Sequence, residues 1–137
     1  MAFTIPEIDE TVRAVHRPVT IITSNAERDL PDAFLRRCVF HYIRFPEPAR
    51  IRRIVDAHMP ELDTSLIDAA VERFYSVRRV DGMRKKPSTS ELLDWLTVLA
   101  RAGADPTTIA KKMPFMGVLV KQEKDLALLA KRGIGQA

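Results

Sequence analysis

The fold prediction rests on one stretch of sequence, VTIITSNAERDLPDAFLRRCVFHYIRFP, residues 19–46. It begins with a nearly continuous β-branched run, residues 19–24, which is typical of a strand covered on both faces. Residues 31–37 predict a short helix, because a proline suits the first helical turn and the aspartate after it complements the helix dipole. Residues 38–45 alternate and are rich in aromatic and β-branched side chains, which predicts another strand. The order strand, helix, strand indicates part of an α/β sheet.

Two short segments lie on the N-terminal side of this stretch. Residues 2–5 and 11–15 alternate between apolar and polar side chains. The residues between them include Pro6 and have the composition of a turn. Together the two segments predict a β-hairpin.

After residue 46 the sequence becomes helical in character. One segment opens with the capping-box pattern Ser88-x-x-Glu91. Its apolar stripe, at helical spacing, consists of Leu92, Trp95, Leu96 and Leu99. Asp105 and Pro106 supply a cap and a first-turn proline for a later short helix. Helices are predicted over residues 48–59, 65–77, 88–101, 106–112 and 121–131.

The predicted fold class is an α/β remnant followed by an all-α part. Residues 1–46 are expected to be the C-terminal part of an α/β sheet domain, with a hairpin, a strand, a short helix and a last strand. Residues 47–137 are expected to be a helical bundle. Two or three strands with one short helix cannot cover both faces of a parallel sheet, so the rest of the sheet is expected outside this sequence.

The composition limits the class of protein. The 137 residues are 46% hydrophobic and 29% charged, which suits one domain or one domain with part of another. The formal net charge of +4 is small and the basic residues are spread along the chain, which argues against nucleic acid as a partner. The single cysteine, the lack of a signal peptide and the lack of an apolar run of about 18 residues predict a cytoplasmic protein without a membrane span.

Several common kinds of site are missing from the sequence. No G-x-x-x-x-G-K-[ST] motif occurs and no glycines cluster before a helix, so these residues alone cannot form a complete P-loop nucleotide site. The three histidines have no spacing that would hold zinc, and no metal site is expected. Cys38 and His41 would point to opposite faces of a strand, which argues against a nucleophilic pair.

Polar and basic residues flank the predicted helix of the opening stretch. Asn25 follows the first strand, at the end where α/β sheets bind ligands, and its amide could orient a water or contact a phosphate. The alternative is that Asn25 caps a turn, and the residues by themselves favour it. Arg36 and Arg37 end the helix, where cations complement the dipole. The alternative is an arginine finger, which stabilises charge on a transferring phosphoryl group.

The opening stretch resembles the segment from sensor 1 to the arginine finger of AAA+ ATPases, in particular the MoxR-like branch. In that branch a strand ends in Thr-Ser/Gln-Asn, followed by Leu-Pro-x-Ala-x-Leu-x-Arg and a strand that ends at Phe-Pro. FTIPEIDETVRAVHRPV, residues 3–19, resembles the preceding hairpin. RKKPSTSELLDWLTVLARAG, residues 84–103, resembles the start of the sensor-2 helix in the C-terminal lid. The resemblance covers nearly the whole chain up to about Gly103.

This resemblance implies catalytic roles for three residues. Asn25 matches sensor 1, which polarises the attacking water near the γ-phosphate of ATP. Arg37 matches the arginine finger, which reaches into the ATP site of the neighbouring subunit. Arg36 is the second candidate, because the family usually has a single arginine here and the doublet leaves the register open.

The sensor-2 position departs from the family pattern. The family has an arginine just after the proline that opens this helix, whereas Pro87 is followed by Ser88 and Thr89. Lys85 or Lys86 could supply the cation from the preceding loop, or a sensor-2 cation is lacking. The candidate nucleotide contacts are therefore Lys86, Ser88 and Thr89, although Ser88 is on physical grounds better suited to cap a helix.

The resemblance implies the C-terminal portion of an ATPase. The Walker A and Walker B segments precede the matched region in this family and do not occur in this sequence. In the complete ATPase, ATP and Mg²⁺ would bind between identical subunits of a ring, expected to be a hexamer, and this chain would not ligate Mg²⁺. Hydrolysis would remodel a client protein that the sequence does not identify. The isolated chain is expected to hydrolyse no ATP.

Other functions are compatible with the same residues. The helical part could be a non-enzymatic protein-interaction module that pairs with another chain. A version of this is one half of a split ATPase, completed by a separate N-terminal half. A helical domain that binds nucleic acid is the weakest alternative, because no helix concentrates basic residues beside aromatic ones.

Overall fold

The computed structural model describes residues 2–16, 19–24 and 30–135 of the chain. The chain divides into two compact units, Met1–Ile43 and Arg44–Ala137. The described part of the first unit contains a small antiparallel sheet and one short helix, and that of the second unit is helical. The protein is therefore of mixed class: the described strands lie in the first unit, and all described helices except one lie in the second.

The N-terminal hairpin is confirmed. Strand β1, Ala2–Ile5, pairs with strand β2, Glu10–Arg13, in antiparallel register, and their ends lie directly opposite each other. The hydroxyl oxygens of Thr4 and Thr11 are 3.0 Å apart across the ladder, a pair of the kind that stabilises antiparallel strands. Strand β2 begins and ends slightly earlier than the predicted segment, residues 11–15.

Helix α1, Asp32–Leu35, is shorter than predicted. Pro31 immediately precedes it as the N-cap, and Asp32 lies in its first turn, where its charge complements the helix dipole. The helix ends at Leu35, so that Arg36 is its C-cap and Arg37 follows it.

The strands predicted at residues 19–24 and 38–45 do not form. All these residues are described, and none of them belongs to a helix or a strand. A strand is stable only when a neighbour pairs with its backbone N–H and C=O groups, and the only ladder among the described residues joins β1 to β2. The apolar side chains of both segments are consequently exposed, for example 85% for Ile21 and 79% for Ile43, except that of Phe45, which is half-buried against the core of the second unit.

Six helices follow in the described residues of the second unit. They are α2 (Pro48–His58), α3 (Thr64–Arg78), α4 (Thr89–Arg101), α5 (Pro106–Lys112), α6 (Met116–Leu119) and α7 (Glu123–Lys131). The five helices predicted here are confirmed, with no end displaced by more than two residues. Helix α6 was not predicted, because so short a helix shows no helical period in the sequence.

Side-chain caps begin three of these helices. The Asp63 carboxylate accepts hydrogen bonds from two backbone N–H groups at the start of α3, at 2.7 and 3.1 Å. Ser88 and Glu91 form the predicted capping box at the start of α4. Asp105 caps α5 by accepting from two backbone N–H groups, at 2.9 and 3.0 Å. These local bonds determine where the chain enters each helix.

The hydrophobic core of the described chain lies within the second unit. Every buried apolar residue lies between Ile51 and Leu129, and all six helices contribute to the core. The apolar stripe predicted for α4 is buried in full. Trp95, its central member, is completely buried, and its indole N–H donates to the carbonyl oxygen of Pro114 at 2.7 Å. The second unit therefore has a core of its own, as an independently folding domain requires.

Candidate functional site

The first group of predicted site residues belongs to the first unit. Asn25 lies outside the described residues. Arg36, the C-cap of α1, is exposed. Arg37 is also exposed, and its Nη1 donates a hydrogen bond to the carbonyl oxygen of Ala33, 2.8 Å away. Because a guanidinium carries five N–H donors, this contact leaves Arg37 with donors for an anion.

The second group lies in the second unit, at the start of α4, and so in a different compact unit from the arginine pair. The Ser88 hydroxyl accepts from the Glu91 backbone N–H at 3.4 Å, and Glu91 Oε2 accepts from the Ser88 backbone N–H at 2.7 Å. Ser88 is therefore a helix cap. Thr89 is half-buried at the first position of α4, and Lys86 is exposed in the loop before it. Of these three candidates, Lys86 alone presents a charge to solvent.

Glu91 forms an ion pair with a lysine at the start of α4. The ammonium nitrogen of Lys85 lies 3.6 Å from Glu91 Oε1. Burial acts to raise the pKa of Glu91, but hydrogen bonds from Ser88 and the charge of Lys85 outweigh it and hold this pKa below its ordinary value. All three cations of this basic run, Arg84, Lys85 and Lys86, are exposed. Among the described residues, Lys85 is the one of the three whose side chain forms an ion pair.

A buried carboxylate holds the loop that carries this basic run. Asp125, in the first turn of α7, is only 1% exposed. Its Oδ1 accepts from the backbone N–H of Arg84 at 2.8 Å, and its Oδ2 accepts from that of Lys85 at 3.0 Å. Arg132 adds a hydrogen bond to the carbonyl oxygen of Asp81 at 3.2 Å. Sequence analysis missed this clamp, because no local pattern joins an aspartate to backbone groups 40 residues away.

An aromatic cluster joins the first residues of the second unit to the same loop. The guanidinium carbon of Arg78 lies 3.3 Å from the centre of the Phe45 ring, a cation–π contact, and Arg78 Nη1 donates to the carbonyl oxygen of Pro87. The Tyr75 hydroxyl donates to the carbonyl oxygen of Pro46 at 2.6 Å. Burial lowers the pKa of Arg78, which nevertheless stays charged. Through Arg78, the chain entering the second unit is tied to the residue before the α4 cap.

A basic groove lies beside the Asp125 clamp. We call it the α7 groove. Its lining residues are Gly82, Arg84, Lys124, Asp125, Ala127, Leu128 and Lys131, of which Asp125 is the one carboxylate. Its volume is about 350 Å³. Sequence analysis missed this groove. Lys124 and Lys131, seven residues apart on α7, do not by themselves indicate a binding site, and Arg84 comes from a loop that is distant in the sequence.

Other kinds of site find less support in the part of the chain that the structure describes. No three His, Cys, Asp or Glu side chains there form a group that could hold a metal ion. Cys38 is exposed and is not in a disulfide. Among the same residues, no helix is long and apolar enough to cross a membrane. In comparisons with known proteins, no family model, curated protein or solved structure matches the chain.

Proposed function

We propose that this chain is the C-terminal portion of a MoxR-like AAA+ ATPase, which would hydrolyse ATP at subunit interfaces to remodel a client protein. The first unit would contribute sensor 1 and the arginine finger, and the second unit would be the helical lid. One observation carries the proposal. The chain presents an exposed arginine pair at the C-terminal end of a short helix, and a helical unit with its own core begins at Arg44.

Exposed apolar side chains in the first unit support a place within a larger sheet. The segments on either side of α1 have the composition of buried strands, but their large apolar residues are exposed: Val19, Ile21, Ile22, Val39, Phe40, Tyr42 and Ile43. So many exposed apolar side chains are characteristic of a surface that another protein element covers. In an AAA+ core, neighbouring strands from outside these residues would pair with both segments.

Arg37 is the finger in this proposal, and Arg36 is the alternative. One N–H of the exposed Arg37 guanidinium anchors it to α1, and the others could contact the γ-phosphate of ATP held by the next subunit of a ring, expected to be a hexamer. There Arg37 would stabilise the negative charge that develops as the phosphoryl group is transferred. Asn25 would orient the attacking water, and residues outside this chain would ligate Mg²⁺.

The lid would contribute a cation from the loop before α4. Lys86 is the best candidate, because it is exposed whereas Lys85 is paired with Glu91. The Asp125 clamp holds the loop backbone, and a preorganised loop loses less entropy when it binds an anion. Ser88 would act indirectly by starting α4, and Thr89 would remain a possible contact to the nucleotide.

The experiment measures ATP hydrolysis by the assembly that contains the P-loop polypeptide. We expect Arg37→Ala to lower kcat by about a thousandfold or more while ATP affinity stays nearly unchanged, because a finger acts on the transition state. Arg36→Ala removes the neighbouring guanidinium, and whichever of the two variants loses kcat identifies the arginine that acts as the finger. Arg50→Ala, an exposed arginine of α2, controls for the loss of a surface charge. Wild-type kcat in both the Arg36 and the Arg37 variants would exclude the arginine finger.

A helical interaction module, or one half of a split ATPase, is the second candidate. The observation in its favour is that the second unit holds the whole core of the described residues, as expected of a unit that would fold without a further chain. Mixing the purified chain with a separate P-loop polypeptide distinguishes these functions. Restored hydrolysis indicates a split ATPase, whereas a stable complex without hydrolysis indicates a binding module.

A further inference from the structure

Three exposed cations line the rim of the α7 groove. Lys124 and Lys131 lie on α7 and Arg84 on the facing loop, and all three are exposed. Among the described residues, no side-chain hydrogen bond or ion pair engages any of these three cations. The two lysines are separated by roughly 10 Å along the helix axis, since a helix rises about 1.5 Å per residue. The groove therefore offers cations at both ends.

The floor of the groove between these cations is apolar. Ala127 is exposed and Leu128 is half-buried along α7. Gly82 faces them from the loop, where its φ of +88° disfavours any larger residue, and a Cβ there would lie 3.7 Å from Leu128 Cδ2. A volume of about 350 Å³ has room for a few side chains.

The groove is held in shape by the Asp125 clamp. The two hydrogen bonds to Arg84 and Lys85 attach the loop to the first turn of α7, so that Arg84 is kept beside Lys124. Both carboxylate oxygens of Asp125 are engaged by backbone N–H groups, and its side chain is buried. A ligand at the rim therefore meets cationic side chains, one of which lies on a loop that is hydrogen-bonded to α7.

We propose that the α7 groove binds an acidic segment of a partner protein, in which carboxylates flank apolar side chains. Charge complementarity selects this occupant: carboxylates would reach the two ends while the apolar side chains cover Ala127 and Leu128. A lone phosphate is too small to contact the cations at both ends of the groove, and it would leave the apolar floor exposed to water. The proposal does not depend on nucleotide binding, and its failure would leave the proposed ATPase role untouched.

The test measures fluorescence anisotropy of a fluorescein-labelled peptide, Glu-Glu-Ala-Leu-Leu-Ala-Glu-Glu, titrated with the full chain. We expect saturable binding that weakens as salt is raised, because the contacts at the rim are solvent-exposed ion pairs. The triple variant Arg84→Gln, Lys124→Gln, Lys131→Gln is expected to weaken binding about tenfold. Circular dichroism checks that this variant, which alters only exposed side chains, retains its helices.

The matched control removes the same charges elsewhere. Arg101→Gln, Lys111→Gln and Lys112→Gln together replace one exposed arginine and two exposed lysines outside the groove, and should change the affinity by less than about twofold. Ala127→Glu tests the floor: it keeps a good helix former and should weaken binding by placing a carboxylate beneath the peptide.

Four results would overturn the proposal. The first is no saturable binding of the peptide to the wild-type chain, and the second is an equal loss in the groove and control variants. The third is displacement of the peptide by inorganic phosphate or ATP more effectively than by sodium chloride of equal ionic strength, which would indicate a phosphate site. The fourth is tighter binding of a DNA duplex that depends on the same three cations.

Discussion

Arg78 lies over the ring of Phe45, with its guanidinium carbon 3.3 Å from the ring centre. The same side chain donates a hydrogen bond to the carbonyl oxygen of Pro87, at the end of the loop before α4. Arg78 therefore connects two stretches of chain that are far apart in the sequence. In the proposed ATPase, these are the entry to the lid and the loop that carries Lys86.

Removing this connection should destabilise the second unit. We expect Arg78→Ala to lower the free energy of unfolding by about 1–3 kcal/mol, because it removes both the cation–π contact and the hydrogen bond. Urea unfolding can be followed by the fluorescence of the buried Trp95, the only tryptophan. Arg78→Lys retains the charge without the planar face and should be intermediate. Arg79→Ala, at an exposed neighbour, should change stability by less than about 0.5 kcal/mol; equal effects at both positions would contradict this role of Arg78.

The Asp125 clamp predicts local protection of two backbone amides. Asparagine at position 125 can accept only one of the two hydrogen bonds with its oxygen, so Asp125→Asn should lower stability by about 1–3 kcal/mol. Hydrogen exchange at the Arg84 and Lys85 amides should accelerate by more than the global loss of stability explains. Asp94→Asn makes the same chemical change at an exposed position of α4 and should leave both amides protected. Unchanged exchange in Asp125→Asn would exclude the clamp.

The cap of α5 predicts how stability varies in acid. Hydrogen bonds from Thr107 and Thr108 hold the pKa of Asp105 well below its ordinary value. The unfolded state therefore takes up a proton first, so the stabilisation is complete above a pH of about 4 and is lost as the pH falls through the folded-state pKa.

Asp105→Asn isolates this effect, because asparagine also caps helices but does not titrate. Thermal unfolding midpoints of the wild type and the variant should converge as the pH is lowered from about 5 towards 2. Asp94→Asn, measured in parallel, corrects for the change in net charge. A constant difference between the wild type and Asp105→Asn over this range would rule out the linkage.

The position of the core predicts the result of truncation. Every buried apolar residue of the described chain lies in the second unit, so a chain of residues 44–137 should unfold cooperatively at a midpoint within a few degrees of the full chain. Calorimetry measures both midpoints. A broad transition, or loss of helical circular dichroism in the shortened chain, would show that the first unit is needed for folding.

The longer helices of the second unit were predictable because their signals are local. The Ser88–Glu91 capping box and the Asp105–Pro106 pair lie within one turn of the helices that they begin, and an apolar stripe can be recognised from its spacing. The strands at residues 19–24 and 38–45 were not predictable in the same way. Their composition favours a strand, but a strand also requires a partner, and the described residues provide none.

The candidate site was predictable only in part. The family resemblance selected Asn25, Arg36, Arg37, Lys86, Ser88 and Thr89. Asn25 lies outside the described residues, and the three cations among the others are exposed. The pattern could not distinguish Lys85 from Lys86, because the pairing of Lys85 with Glu91 depends on the path of the loop.

Five of the six described helices of the second unit follow from the sequence to within two residues, as does the buried stripe of α4, since caps and apolar spacing act over a few residues. Two features could be found only in the folded unit: Asp125 binds the backbone of Arg84 and Lys85, and Arg78 joins Phe45 to Pro87. These contacts join residues that are far apart along the chain, and they form because packing the six helices around one core brings distant segments together. The α7 groove has the same origin, since its cations come from a helix and a loop that meet only when the unit is folded.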